Sequence, residues 1–135
     1  MKSRIPVSFF ALSEEQLKTG KITTPYEEVC HELGIQTLAG REALRIALEN
    51  IKLLDCKQLD YGPRNISGFG VFGVVVRMND KFERIKNLFN MGRRRRATNE
   101  AILDTFKDIS NYAIIAEMLD TGKWPNEEPS PKEKK

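Results

Sequence analysis

Residues 69–90 decide the fold class, and they read FGVFGVVVRMNDKFERIKNLFN. The β-branched residues within 71–76 are typical of a strand when taken alone. The apolar side chains, however, recur at helical spacing for much longer than an ordinary strand of about five or six residues. These side chains are Phe72, Val75, Met78, Phe82, Ile85, Leu88 and Phe89. We therefore predict a helix here and an all-α protein.

Other segments carry helix signals of their own. Ser13 to Gln16 has the composition of a capping box, after an extended arm, and predicts a short helical turn. Thr24-Pro25 predicts the start of a helix that ends at Gly34. Residues 37–56 are amphipathic, and Thr98, Asn99 and Glu100 are expected to cap a last helix that continues through Leu119 and stops at Gly122.

Length and composition predict one domain. A chain of 135 residues, 40% hydrophobic and 30% charged, is ordinary for a globular protein. We expect a compact helical bundle of about four helices over residues 1–124. Residues 125–135 are mostly proline and charged residues, which predicts a disordered tail.

Several classes of protein are excluded by what the sequence contains. No apolar run is long enough to cross a bilayer, and the first residues do not resemble a signal peptide, so we expect a cytoplasmic protein with no membrane partner. Cys30 and Cys56 are too few for a disulfide framework and have no metal-ligand spacing.

The positive charge is concentrated in one run. The formal net charge is +3, so the rest of the chain is slightly acidic once Arg93, Arg94, Arg95 and Arg96 are set aside. Such a run favours a polyanionic partner, with nucleic acid as one possibility. A solvated or subunit-contacting turn is the alternative interpretation.

A basic stripe is predicted on the helix over 69–90. Arg77, Lys81 and Arg84 are spaced to share one face. Gly70 and Gly73 lie on or near that face, and glycine inside a helix costs about 1 kcal/mol relative to alanine. We interpret the glycines as sites where a ligand or another backbone approaches closely.

An acidic and amide stripe is predicted on the last helix. Asp104, Asp108 and Asn111 share a face that continues to Ile115, which indicates a partly buried seam. Buried carboxylates require partners, and the candidates are Lys81, Arg84 or a divalent cation. Interhelical salt bridges alone would also account for the two stripes.

Residues 60–68, DYGPRNISG, form the strongest interruption of helical pattern. Asp60, Tyr61, Arg64 and Asn65 supply polar groups, and the glycines supply backbone freedom. We predict a loop that holds phosphate at a helix N-terminus. The alternative is an ordinary turn between helices.

The order of these motifs resembles the phage-associated family called the nucleotide modification associated domain. The matching residues, which extend over about 43–124, are Asp60-Tyr61-Gly62, Asn65, Lys81, Arg84, Asp104, Asp108, Asn111-Tyr112-Ala113, Gly122 and Trp124. The resemblance implies a nucleotide-related role and an architecture similar to the all-α, MazG-type NTP pyrophosphohydrolases. Those enzymes hold magnesium with E-x-x-E and E-x-x-D pairs, whereas this chain has Asp80-x-x-Glu83 and Asp104-x-x-x-Asp108.

Three functions follow from the sequence. The first is a phage-type protein that binds or sequesters a phosphorylated nucleotide. Its phosphate ligands would be Arg64, Arg77, Lys81 and Arg84, and its other contacts Asp60, Tyr61, Asn65, Asp104, Asp108, Asn111 and Tyr112. The second is a Mg-dependent pyrophosphohydrolase in which Asp104 and Asp108, with Glu83 or Glu100, hold the metal. The third is a nucleic-acid-binding protein that uses the arginine run. Because the predicted helices are apolar on more than one face, we also expect a homo-oligomer.

Overall fold

The computed structural model describes residues 4–90 and 96–125, and for residues 96–99 it describes the backbone alone. All secondary structure in this part of the chain is helical, which confirms the all-α prediction. In order, the elements are a 3-10 helix at Val7–Phe9 and the α-helices α1 (Glu14–Lys18), α2 (Pro25–Glu32), α3 (Leu38–Tyr61), α4 (Arg64–Ser67), α5 (Gly70–Asn90) and α6 (Arg96–Asp120). Residues 126–135 of the predicted tail lie outside the described ranges.

Within those ranges, no helix combines the length and the apolar character needed to cross a membrane. The helices α2, α3, α5 and α6 correspond to the four predicted ones, α1 corresponds to the predicted helical turn, and α4 is additional. The chain divides into two compact units, Met1–Cys56 and Lys57–Lys135, where one domain was predicted over residues 1–124. Each unit is described separately.

The helix starts of the first unit follow its sequence signals. The Ser13 hydroxyl accepts a hydrogen bond from the Gln16 amide at 3.2 Å, and the Gln16 side-chain oxygen accepts one from the Ser13 amide at 2.9 Å. The Thr24 hydroxyl likewise accepts from the Glu27 amide at 3.1 Å, with Pro25 in the first turn. Both predicted N-caps are confirmed.

A small aromatic cluster packs in this unit. Tyr26 and Cys30 of α2 are buried. The rings of Phe9 and Phe10 lie 6.2 and 5.3 Å from the Tyr26 ring, centroid to centroid. The Tyr26 hydroxyl donates to the carbonyl oxygen of Arg41, so the buried phenol keeps a polar partner and ties α2 to α3.

Two helices end at glycines as predicted. Gly34 and Gly122 both have a φ of 69°. After Gly34, the backbone amide of Ile35 donates to the Cys30 carbonyl oxygen at 3.0 Å. After Gly122, the backbone amide of Lys123 donates to the Met118 carbonyl oxygen at 2.7 Å. These bonds close the last turn of α2 and of α6.

The start of α6 differs from the prediction. We expected Thr98, Asn99 and Glu100 to cap this helix, but α6 is already helical at Arg96. Arginine is a good helix former, so the helix continues toward the N-terminus through the residues expected to cap it.

In the second unit, α5 packs against α6. The buried apolar residues of this unit are Ile66, Val74, Ile102, Ile115 and Trp124. The Trp124 indole nitrogen donates to the Pro63 carbonyl oxygen at 3.1 Å. The chain that follows α6 is therefore anchored on the turn between α3 and α4.

Candidate functional site

In the second unit, the end of α3 (residues 57–61), α5 and α6 bring charged side chains together at Asp108. Lys81 of α5 places its Nζ 2.8 Å from Oδ2 of Asp108, and Lys57 near the end of α3 places its Nζ 3.1 Å from Oδ1. We call Lys57, Lys81 and Asp108 the Asp108 cluster. Each carboxylate oxygen thus has its own ammonium group, supplied by a different helix.

The Asp108 cluster carries more positive than negative charge, because two ammonium groups meet one carboxylate. The side chains of Asp108 and Lys81 are 20% and 24% exposed, whereas that of Lys57 is 47% exposed. Lys81 is therefore held between α5 and α6, and Lys57 reaches the same carboxylate from the solvent side.

The pKa of Asp108 reflects two opposing effects. Burial raises the pKa of this carboxyl, but the hydrogen bonds from Lys81 and Lys57, together with their charges, outweigh burial and hold the pKa below its usual range. Asp108 is therefore ionised in the folded protein at neutral pH.

The predicted basic stripe does not act as one surface. The Arg77 guanidinium lies over the ring of Phe69, 5.5 Å from its centroid, and Arg84 is exposed. Only Lys81 of the three faces the acidic stripe through a described contact.

The helical glycines of α5 have a local explanation. Gly70 begins the helix with a φ of 64°. A Cβ atom at Gly73 would collide with the Phe69 side chain. The close approach that we assigned to a ligand or another backbone is thus made by a neighbouring phenylalanine.

The predicted acidic stripe is only partly buried. Asn111 is buried and Asp108 is half-buried, but Asp104, one turn toward the N-terminus, is exposed. Tyr112 is half-buried. Thr105, which the sequence analysis did not single out, is almost fully buried on this side of α6, and its hydroxyl donates to the Ala101 carbonyl at 2.6 Å.

Residues 60–68, which we predicted to form a loop, are mostly helical. Asp60 and Tyr61 belong to the last turn of α3, and Arg64–Ser67 is the short helix α4. The turn between them is Gly62-Pro63, and Gly62 has a φ of 73°. Asp60, Tyr61 and Arg64 are exposed, so they form no enclosed cradle.

Two amide oxygens near this turn are buried without a hydrogen-bond donor. They are Oε1 of Gln58, in the last turn of α3, and Oδ1 of Asn65, in α4. No group in the described ranges donates to either oxygen. Because a buried acceptor without a partner costs about 1–3 kcal/mol, such atoms indicate a place where a donor from a ligand or water is expected.

Within residues 4–90 and 96–125, the carboxylates do not gather into a metal site. Among the residues that the structure describes, no group of three or more His, Cys, Asp or Glu side chains is placed to hold a metal ion. Glu83 is engaged by Lys86 at 2.9 Å, and Glu100 is exposed. Arg93, Arg94 and Arg95 lie outside the described ranges, as does the side chain of Arg96, so the arginine run stays a prediction.

Lys57 and Gln58 are the residues that sequence reasoning missed. The amphipathic pattern that predicts this helix extends over residues 37–56, and neither Lys57 nor Gln58 was assigned a role. The helix continues to Tyr61, and Lys57 then lies on it within reach of α6. The sequence did contain a signal for this continuation, because residues 57–61 include no glycine or proline that would end a helix before Gly62.

Comparison with known proteins returned no family model, no curated protein and no solved structure that matches this chain. The resemblance to the nucleotide modification associated domain therefore stays a prediction.

Proposed function

We propose that the chain binds a phosphorylated nucleotide at the Asp108 cluster. The observation that carries the proposal is that Lys57 and Lys81 converge on a single half-buried carboxylate, which leaves one positive charge uncompensated within the cluster. A phosphate group carries one to two negative charges at neutral pH, and lysine ammonium groups are common phosphate ligands.

The two lysines suit different roles in binding. Lys81 is the less exposed of the two and stays on Asp108, whereas the more exposed Lys57 can rotate toward an incoming anion. Asp108 is then still neutralised by Lys81 after Lys57 has moved. A phosphate group therefore enters without leaving a half-buried carboxylate uncompensated.

Groups close in sequence to Lys57 favour a nucleotide over inorganic phosphate. The buried oxygens of Gln58 and Asn65 require donors, and ribose hydroxyls and base amino groups are donors whereas an ionised phosphate is not. Tyr61 is 69% exposed and offers a ring on which a base can stack. Tyr112 is the second candidate for stacking.

The proposal is limited to binding and sequestration. Hydrolysis by the predicted magnesium mechanism would need carboxylates around a metal, and Asp108 instead carries two lysines while Asp104 is exposed. An assay for pyrophosphate release from nucleoside triphosphates separates the two functions.

The test is thermal melting with and without mono-, di-, tri- and cyclic nucleotides, and with inorganic phosphate alone. We expect at least one nucleotide to raise the melting temperature of the wild-type protein by mass action, and inorganic phosphate to raise it less. Lys81→Ala and Lys57→Ala are expected to reduce that shift. Lys86→Ala is the matched control, because this exposed lysine of α5 pairs locally with Glu83.

The opposite pattern would reject the proposal. If no nucleotide changes the wild-type melting temperature while both cluster variants melt much earlier, the Asp108 cluster is a structural salt bridge. An equal effect of Lys86→Ala would indicate nonspecific anion binding.

A further inference from the structure

The second unit carries a surface of exposed apolar residues on α5 that the proposed site does not use. Phe72 is 78% exposed, and Val75 and Phe82 are each 48% exposed. Large apolar side chains are normally covered when they cluster on one helix, and contiguous exposed patches mark sites of interaction.

This surface lies on the side of α5 that faces away from α6. Val74 is buried and Lys81 contacts Asp108 of α6, so these residues mark the inner side. Phe72 precedes Val74 by two positions, and two residues of an α-helix are about 200° apart. The exposed side chains therefore belong to a separate face, which we call the outer face of α5.

The residues of the outer face follow coiled-coil spacing. Phe72, Val75, Asn79, Phe82 and Lys86 are separated by three, four, three and four residues. In a coiled coil, residues with this spacing form one continuous stripe along the helix, the seam, and the seam packs against the equivalent stripe of a second helix. Asn79 and Lys86 are polar seam positions, and such positions select the orientation and register of the two helices.

We propose that the outer face of α5 binds the same face of a second copy of this chain, with the two helices antiparallel. The two-fold axis crosses α5 near residue 77, so that Phe72 of one copy packs on Phe82 of the other, and Val75 packs beside Asn79. This register covers the exposed apolar residues in symmetric pairs, as a two-fold interface requires.

Charge favours the antiparallel arrangement. A parallel pair would place Lys86 opposite Lys86 of the second copy in the seam. In the antiparallel register the two Lys86 side chains lie at opposite ends, roughly 27 Å apart along the helix, which exceeds the screening length of about 8 Å at physiological salt. Each Lys86 then keeps its contact with Glu83, at 2.9 Å.

The covered area is that of a modest dimer. With Val76, which is 45% exposed, the outer face offers roughly 400 Å² of apolar surface, if a whole apolar side chain presents on the order of 150–200 Å². A standard interface buries about 800 Å² on each partner, so this surface corresponds to a small dimer whose formation depends on concentration. This dimer does not depend on nucleotide binding, because the outer face and the Asp108 cluster lie on different sides of α5.

The test is sedimentation equilibrium of the full chain, at concentrations up to about 100 µM, with circular dichroism to confirm helical content. We expect the wild-type protein to be a dimer and Phe72→Glu and Phe82→Glu each to weaken association by at least about 100-fold. Phe106→Glu is the matched control, since Phe106 is 50% exposed on α6 and lies two positions from the inward Asp108. It should remain a dimer.

A charge swap tests the orientation. The double variant with Phe72→Glu and Phe82→Lys creates opposite charges at facing positions of the antiparallel dimer, and it should associate more tightly than the variant with Phe72→Glu and Phe82→Glu. A wild-type monomer would overturn the proposal. So would a dimer that Phe106→Glu breaks and Phe72→Glu does not, and equal association of the two double variants would overturn the antiparallel arrangement.

Discussion

At the scale of single residues, Asp108 is distinguished by having two cationic partners. A salt bridge with one partner fails when that partner is removed, because the remaining charge is left partly buried. Here Lys57 and Lys81 each contact a separate oxygen of the carboxylate. Either lysine alone therefore keeps Asp108 compensated, and the two should show strong coupling.

A double-mutant cycle tests this redundancy. Lys57→Ala and Lys81→Ala should each lower the free energy of unfolding by about 1 kcal/mol or less, because the groups are partly exposed. The double variant should cost clearly more than the sum, since it leaves Asp108 without either contact. Urea denaturation gives the four values. Additive losses would show that the lysines do not share the carboxylate.

The pH dependence of stability is a second residue-scale prediction. Hydrogen bonds from the lysines outweigh burial and lower the pKa of Asp108 in the folded state. The stabilisation is therefore fully present above the unfolded pKa of about 3.9 and is lost as the pH falls through the lower folded pKa.

Asp108→Asn measures this contribution. The variant should have a lower free energy of unfolding than the wild type at about pH 7, and the difference should shrink at about pH 3. Asp104→Asn, one turn away and exposed, is the control and should change stability little at either pH. A difference that stays constant with pH would contradict the role of the ionised carboxylate.

At the scale of elements, local signals predicted helix ends better than helix continuations. The caps at Ser13 and Thr24 and the C-terminal glycines at Gly34 and Gly122 depend on neighbouring residues alone, and all were predictable. The continuation of α3 to Tyr61 was not, because polar residues after Cys56 interrupt the apolar pattern although they favour the helix.

Gly73 provides a prediction for α5. Alanine normally stabilises a helix interior by about 1 kcal/mol relative to glycine. At Gly73 the new Cβ would meet the Phe69 side chain at its own Cβ, which cannot rotate away. We therefore expect Gly73→Ala to lower the melting temperature, whereas Asn87→Ala, at an exposed position of the same helix outside the outer face, should not. A more stable Gly73→Ala protein would show that the start of α5 adjusts without cost.

Trp124 provides a prediction for the end of α6. Trp124→Phe retains a buried ring but removes the donor to the Pro63 carbonyl. The loss should be about 1–3 kcal/mol in the free energy of unfolding, measured by chemical denaturation and followed by circular dichroism. An unchanged free energy would mean that water replaces the indole donor.

At the scale of the whole molecule, the helical class was predictable because the 3.6-residue pattern of residues 69–90 is long. The partners of individual charges were not, since they depend on how three helices meet. The sequence offered Lys81 as one of several candidate partners for the acidic stripe, and Lys81 does contact Asp108. Lys57 was missed, and Arg77, which was assigned to phosphate, lies over Phe69.

The second unit has two candidate surfaces, and they lie on different sides of α5. The inner side of α5 bears the Asp108 cluster, and the outer face bears Phe72, Val75 and Phe82. Because these groups lie on different sides of one helix, loss of nucleotide binding and loss of dimerisation should be separable by point substitution.

The central claim is tested most directly by isothermal titration calorimetry of the wild type, Lys81→Ala and Asp108→Asn with whichever nucleotide best stabilises the protein. If Lys57 turns from Asp108 to the phosphate while Lys81 neutralises the carboxylate, Lys81→Ala should weaken binding by about tenfold or more, because Asp108 would then retain Lys57. Asp108→Asn should tighten binding, because no carboxylate holds Lys57 away from the phosphate. Affinities that are the same in all three proteins, or a wild-type protein that binds no nucleotide, would contradict the account.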